Sequence, residues 1–356
     1  MRKAAIACGA VGVILLVAAG LLAWWITPSY IARLPGNYNK VRTYSGTIGT
    51  LIDPAALATG NLSGAVKTGL PETVTNSVRV TQTSGNTALV RNAITVTSAG
   101  HQVGALTSNY AVDRTSLAAT GSHPASWHVT NARGLTFSWP IGAKRQNYTG
   151  WVPYTLSTTP LTYVTQVQHG GVNTYEYQSN VPPTRITNPQ VLALLPKSLP
   201  VALLARIEAA GLISRSQLAG LARAFPGAKT IPLAYGYQST STYWVAPATG
   251  IVVDVHRSER EVGNIALPDG KTIPLLPVLA DSFKATPASV SAAATDANNG
   301  SSTITTWGTI VPIVAAAVGF VLVVLAIVLW MRGRSRGRPV APAPGQRHPS
   351  PAGQIS

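Results

Sequence analysis

Two runs of the chain are apolar without interruption, and the sequence between them alternates. Ala4 to Ile26, AAIACGAVGVILLVAAGLLAWWI, holds no charged residue. About 20 such residues cross a hydrocarbon core as a helix, and Trp24 and Trp25 suit the interface at its end. A cleaved signal peptide is the competing reading, but its apolar core runs to roughly 7–15 residues and small residues mark the cut. Here the run is longer and the following WWITPSYIARLPG is bulky, so a retained anchor is expected. Trp307 to Met331 is likewise uncharged, with Pro312 in its first turns, where a helix accepts proline. A soluble core helix is rarely apolar on every face for this length, so the segment reads as a second span.

Between the spans the period is two. Val78 to Gly100, VRVTQTSGNTALVRNAITVTSAG, sets β-branched alternation around Ser84-Gly85-Asn86, which predicts a hairpin. LTYVTQVQHGGVNTYEYQS repeats the pattern with Gly170-Gly171 at its turn. YGYQSTSTYWVAPATGIVVDVHRS gives two strands around Pro247 to Gly250, and LPDGKTIPLL adds a tight Asp269-Gly270 turn. Alternating Thr and Val describe antiparallel strands with one wet and one buried face. Asn188 to Phe225 breaks the alternation. Its spacing is helical, interrupted by Pro196 and Pro200, and it is rich in leucine and isoleucine. It is expected to form two or three short helices, either packed over the sheet or exposed as an apolar cap that meets lipid or a partner.

Charge then sets the sidedness. The second span runs into VLWMRGRSRGR, where Arg332, Arg334, Arg336 and Arg338 abut the apolar residues, and Arg2 and Lys3 precede the first span. Positive residues beside spans stay in the cytoplasm, so both ends are expected there and the intervening domain outside. The net charge of +16 alone would suggest nucleic acid, but the segment between the spans carries only +9. The arginine cluster is followed by Pro, Ala and Gly instead of the aromatic platforms that single strands need. Nucleic-acid binding is excluded on that ground. The Pro/Gly/Ala-rich tail is expected to be disordered. Cys8, the single cysteine, lies too near the start to follow the apolar region a lipid-modified cysteine needs, and no disulfide supports the outer domain.

Chemistry is sparse. His101, His123, His128, His169, His256 and His348 show no metal-ligand spacing, and there is no G-x-S-x-G elbow or Walker loop. Asp113, Glu176 and Asp254 are far apart in sequence. Asp113-Arg114 reads as an ion pair or turn contact. No enzyme activity, cofactor or metal is expected.

LPGNYNKVRTYSGT, NYAVDRTSLAA, GLTFSWPIGAKRQNYTGW and YWVAPATGIVVDV, in this order between two spans, resemble an actinobacterial membrane-protein family of PorA type, first catalogued as a domain of unknown function. The resemblance covers nearly the whole chain. At Val152, after the Tyr148–Trp151 pair, the family usually has an acidic residue. The resemblance implies a role in envelope biogenesis, handling lipid-linked glycans outside the plasma membrane. The layout is similar to that of class B scavenger receptors, which implies a lipid tunnel under an apical helical cap.

The expected architecture is a membrane-anchored α+β chain. It has a cytosolic N-terminus (1–3), a span (4–26) and a β-rich antiparallel extracytoplasmic domain (27–306) with a helical insert (188–225). A second span (307–331) and a basic cytosolic tail (332–356) follow. The expected function is binding or carrying a lipid or lipid-linked glycan. A non-catalytic scaffold or regulator of envelope glycolipid enzymes, with envelope-synthesis membrane proteins as partners, and a porin or channel component, are the alternatives. In the carrier reading Leu203, Leu204, Ile207, Leu212 and Ile213 form an apolar entrance, and Arg206, Arg215 and Arg223 meet a lipid or lipoglycan phosphate.

Overall fold

The computed structural model describes residues 2–53, 56, 62–209, 213–268 and 270–335. They form two compact units, Met1–Thr27 with Thr305–Ser356, and Pro28–Ile304.

In the terminal unit α1 (Arg2–Leu21) packs along α5 (Val311–Ser335). Small residues make the approach possible. A Cβ on Gly12 would lie 2.7 Å from the carbonyl oxygen of Gly319, and one on Gly319 would lie 2.8 Å from that of Gly12. Ala5, Ala19 and Ala326 are buried, while Ile14, Ile313, Phe320 and Val321 face outward. Helices in lipid gain nothing from hiding apolar surface, so they associate through close van der Waals packing at such small residues. Lys3–Ile31 and Pro287–Arg332 are both helical runs long and apolar enough to cross a membrane.

The other unit is built on one antiparallel sheet. Its strands are β1 (Asn39–Ile52), β2 (Val66–Lys67), β3 (Leu70–Ser84), β4 (Thr87–Ser98), β5 (His101–Asp113), β6 (Tyr148–Val152), β7 (Ser157–His169), β8 (Val172–Arg185), β9 (Ser198–Pro200), β10 (Thr230–Val245), β11 (Val252–Ala266) and β12 (Thr272–Ala285). The order is β5-β4-β3-β1-β12-β11-β10-β8-β7-β6, with β2 on β1 and β9 on β10. The expected hairpins form around their glycines. Gly85, and the pair Gly170 and Gly171, adopt positive φ between their strands, as tight turns of matching twist require. Gly270 does the same between β11 and β12, while Asp269 lies outside the described residues.

The sheet curls until its edges meet through the segment between β5 and β6. Val112 bridges Ala119, Ala118 bridges Leu135, and Leu135 bridges Gly150 of β6. Asp113 shapes that segment: its Oδ1 accepts from the Thr115 and Ser116 amides at 3.0 and 2.7 Å, and Oδ2 accepts from Asn86 Nδ2 at 2.6 Å. Arg114 turns away and donates to the Leu34 carbonyl at 2.8 Å. Of the two expected roles for this pair, the turn contact is the one formed.

Each end of the curled sheet is covered. At the end where the chain enters β1 and leaves β12, α4 (Pro287–Thr305) sets Ala294 and Ala297 against Val172, Ala246 and Val253. Asp296 of α4 receives Lys40 at 2.8 Å and Arg42 at 2.6 Å. At the opposite end lies the helical insert, with single turns at Pro189–Leu192 and Val201–Leu203, then α2 (Leu204–Ala209) and α3 (Arg215–Ala224). Ser214 and Gln217 cap α3 reciprocally, satisfying two amides that the first turn leaves open.

Candidate functional site: the barrel lumen

Period-two alternation places one set of side chains from every strand inside the curl. A cavity of about 180 Å³ lies there, lined from all ten strands of the main path and by residues 135–139. It exists because the inner positions of neighbouring strands are small. Ser179 of β8 stands opposite Ser241 of β10, and Ser239 follows one inner position along. Large aromatic groups surround that gap. Tyr163, Tyr177 and Tyr243 stand side by side across β7, β8 and β10. Trp139 packs on the last two at 5.2 and 5.1 Å between ring centroids. Tyr154 stacks on Tyr237 at 4.4 Å. Such walls offer apolar area together with polar edges.

The polar edges are incompletely used. Asn76 Oδ1, Asn92 Oδ1, Thr136 Oγ1 and Trp139 Nε1 are all buried without a protein partner, and all four residues line this cavity. Native interiors satisfy nearly all such atoms, so four orphans around one space need an explanation.

Charge concentrates beside them. The sequence has only 11 acidic residues, yet Glu72, Glu259, Glu261 and Asp281 are all buried. Carboxylates are seldom buried unless paired. Glu259 lines the cavity and stands opposite Asp281 across β11 and β12. It accepts a hydrogen bond from the Tyr237 hydroxyl at 2.7 Å, and Arg257 Nη1 lies 3.9 Å away. Arg257 also donates to Ser241 Oγ at 3.0 Å and to the Tyr243 hydroxyl at 2.7 Å. Glu72 stands opposite Gly46 of β1, whose missing side chain leaves room for Phe283. Burial, with the neighbouring Glu259 charge, pushes Glu261 up to about 7 and, with Glu72 also near, Asp281 up to about 10. Burial likewise raises Glu72 to about 7, while Asp281 as hydrogen-bond partner draws it back. A proton shared between Glu72 and Asp281 joins one oxygen of each carboxyl, among four that find no other partner.

The insert residues singled out from sequence lie elsewhere. Leu203, Leu204, Ile207 and Ile213 are buried with Leu221, against Leu199, Ile231, Ile265 and Leu275 of the strands below. Leu212 falls outside the described residues. Arg206, Arg215 and Arg223 are exposed, and Arg215 Nε approaches Glu208 Oε1 at 3.3 Å. None of these residues lines the luminal cavity. Val152, the departure from the family pattern, does line it and is 5% exposed.

The histidines missed by spacing arguments meet in space. Asp254 Oδ2 is 2.8 Å from His169 Nε2 and 3.5 Å from His256 Nε2, with Trp244 stacked on His169. This ties the β7–β8 turn to β11. Among the described residues no group of three or more His, Cys, Asp or Glu is arranged to hold a metal. Sequence offered no signal for this cluster, since the three residues come from two separate hairpins.

Among solved structures, that of an acyl-CoA thioesterase II, TesB2, from Mycobacterium marinum is similar at 11% identity over 69% of this chain and 80% of that one. Its TM-score is 0.13. No curated protein matches the sequence. The family model for porin PorA matches residues 4–328. With two candidate membrane helices, a curled antiparallel sheet between them and a match over nearly its whole length, the chain belongs to the porin PorA family.

Proposed function

We propose that this protein is a non-enzymatic, membrane-anchored binding protein that takes a lipid or lipid-linked glycan into the barrel lumen, on the extracytoplasmic side of the plasma membrane. The observation that carries the reading is the cavity itself. Aromatic walls and four unpartnered polar atoms converge on one cavity, and ligand sites combine an apolar lining with a few placed polar groups in this way. Native mass spectrometry of the detergent-extracted full chain is expected to show one co-purified lipid per protein. A clean apo mass would overturn the reading.

The orientation belongs to the same proposal. Arg2, Lys3 and the arginines from Arg332 onward hold both ends in the cytoplasm. Protease outside protoplasts should remove the middle of the chain and spare a C-terminal tag; loss of the tag would reverse the topology.

The family's description as a porin favours a second reading, a channel. A conducting path along the lumen would have to pass the buried leucine cluster at one end and α4 at the other. Planar bilayers containing purified protein are expected to show no stable conductance, and discrete single-channel steps would establish the channel instead.

A further inference from the structure

Taking the binding reading as its basis, the lining of the cavity bears on which ligands it accepts. Three of these orphan polar atoms, Asn76 Oδ1, Asn92 Oδ1 and Thr136 Oγ1, can accept hydrogen bonds, and Asn92 is 8% exposed. Acceptors left unpaired in a buried wall call for donors on whatever fills the space. Hydroxyl groups supply them, and Tyr and Trp faces suit the C–H faces of a polyol ring. An anion has the opposite problem. Arg257 is the one Lys or Arg among the lining residues, and Ser241, Tyr243 and Glu259 already engage it. Beyond Glu259 lie three further buried carboxyl groups, Glu72, Glu261 and Asp281. Those three are disposed by burial to keep their protons, so the repelling charge is that of Glu259: a phosphate would meet no free cation and one nearby carboxylate, which is unfavourable in a low-dielectric interior.

We infer that the lumen selects its ligand by charge: it accepts an uncharged, hydroxyl-rich head group and excludes phosphate- and carboxylate-bearing ones. Anionic groups, where the ligand has them, stay outside the cavity. Asn92 and Asn76, diagonal neighbours on β3 and β4, read the hydroxyls, and Glu259 rejects the anion.

The test uses the full chain held in amphipol and two soluble probes of equal chain length, decyl maltoside and decyl phosphate, below their micelle concentrations. Tryptophan fluorescence reports occupancy, since Trp139 and Trp151 line the cavity. Decyl maltoside is expected to bind saturably and at least ten-fold more tightly than decyl phosphate. Asn92→Leu, melting as the parent does, should weaken the maltoside about three- to ten-fold, the range expected for one lost hydrogen bond. Glu259→Gln keeps an acceptor for Tyr237 but frees Arg257, and should raise decyl phosphate affinity at least ten-fold. Decyl phosphate competing with decyl maltoside at equal affinity in the parent protein would overturn the charge selection and leave luminal binding standing. So would unchanged affinities in both variants. Saturable binding of neither probe would sink the inference and the binding reading together.

Discussion

Two layers of one barrel interior are built on opposite principles. Under the insert, Leu203, Leu204, Ile207, Ile213 and Leu221 meet Ile231, Ile265 and Leu275, an all-aliphatic layer. Farther along the same strands, Glu261, Glu259 and Arg257 follow Ile265 at inner positions of β11, with Asp281 across on β12. The aliphatic layer gains stability from every methylene it hides. The polar layer gives stability up, because burying a carboxyl group without full pairing is unfavourable. A fold needs the first kind of layer, and the proposed ligand would give the second a purpose.

The contrast is sharpest under mutation. Leu203→Ser with Ile207→Ser should remove about 5 kcal/mol or more, since each deletes a buried aliphatic group worth roughly 2–5 kcal/mol. Denaturant melts of the full chain check this, and a variant that melts normally would return these residues to an entrance role.

Next in size is the pH dependence of the polar layer. A carboxyl raised in the folded state holds its proton where the unfolded chain has lost it. Its contribution is therefore present below the unfolded value and disappears as pH rises through the folded one. For Glu261, raised from 4.5 to about 7, this amounts to about 3 kcal/mol lost between roughly pH 4.5 and pH 7. Glu72 acts in the same window, and Asp281 extends the decline toward pH 10. Asp296 works the other way. Burial opposes its ionisation, but Lys40 and Arg42 outweigh that and hold it below 3.8, so its contribution is lost only in stronger acid. Melting temperature should thus fall from pH 5 to pH 8, and Glu261→Gln should flatten the slope. A melting temperature that rises over this range would contradict the burial of the cluster.

A smaller effect is expected at Tyr237→Phe, which removes the hydroxyl that donates to Glu259 at 2.7 Å. A loss of about 1–2 kcal/mol follows from leaving that oxygen unpaired. Smallest of all is Asn92→Leu. Replacing an amide with an unpartnered oxygen by an apolar group of similar size should leave stability within about 0.5 kcal/mol. A large loss there would mean that Asn92 serves the fold.

Much of the wall was legible in the sequence. Alternation located the strands, and Gly85 and Gly170-Gly171 marked turns that the backbone confirms with positive φ. Alternation assigns residues to a shared face but not to a side of the sheet. Glu72 in PETVTNSV and Glu259 and Glu261 in SEREVG therefore carry no sequence mark of the inward face on which the curl buries them. Strand order was equally hidden, since β1 pairs with β12 from the far end of the domain. The helix α4 went unread because PASVSAAATDANNGSST has weak amphipathic spacing and many small polar residues. The glycine seam of α1 and α5 looked like ordinary apolar sequence, because a contact made by absent side chains leaves no hydropathy signal.

The edges of the sheet carry one more consequence. Where β3 meets β4, twelve residue pairs from Glu72↔Ser98 to Ser84↔Thr87 hold the wall. Between β5 and β6 the join runs through the intervening segment, by the bridges Val112↔Ala119, Ala118↔Leu135 and Leu135↔Gly150 and by the Thr120 and Thr130 amides, which donate to the Ala111 and Asn109 carbonyls. Breaking a few bonds takes a fraction of the free energy of global unfolding, so this flank is the breathable side of the molecule. Amide hydrogens of Ala119, Leu135 and Trp151, which bond across it at 2.8 Å, should exchange with solvent well before those of β10. A cargo too large for either covered end would slip in sideways, between two strands, as through a slit in a sleeve.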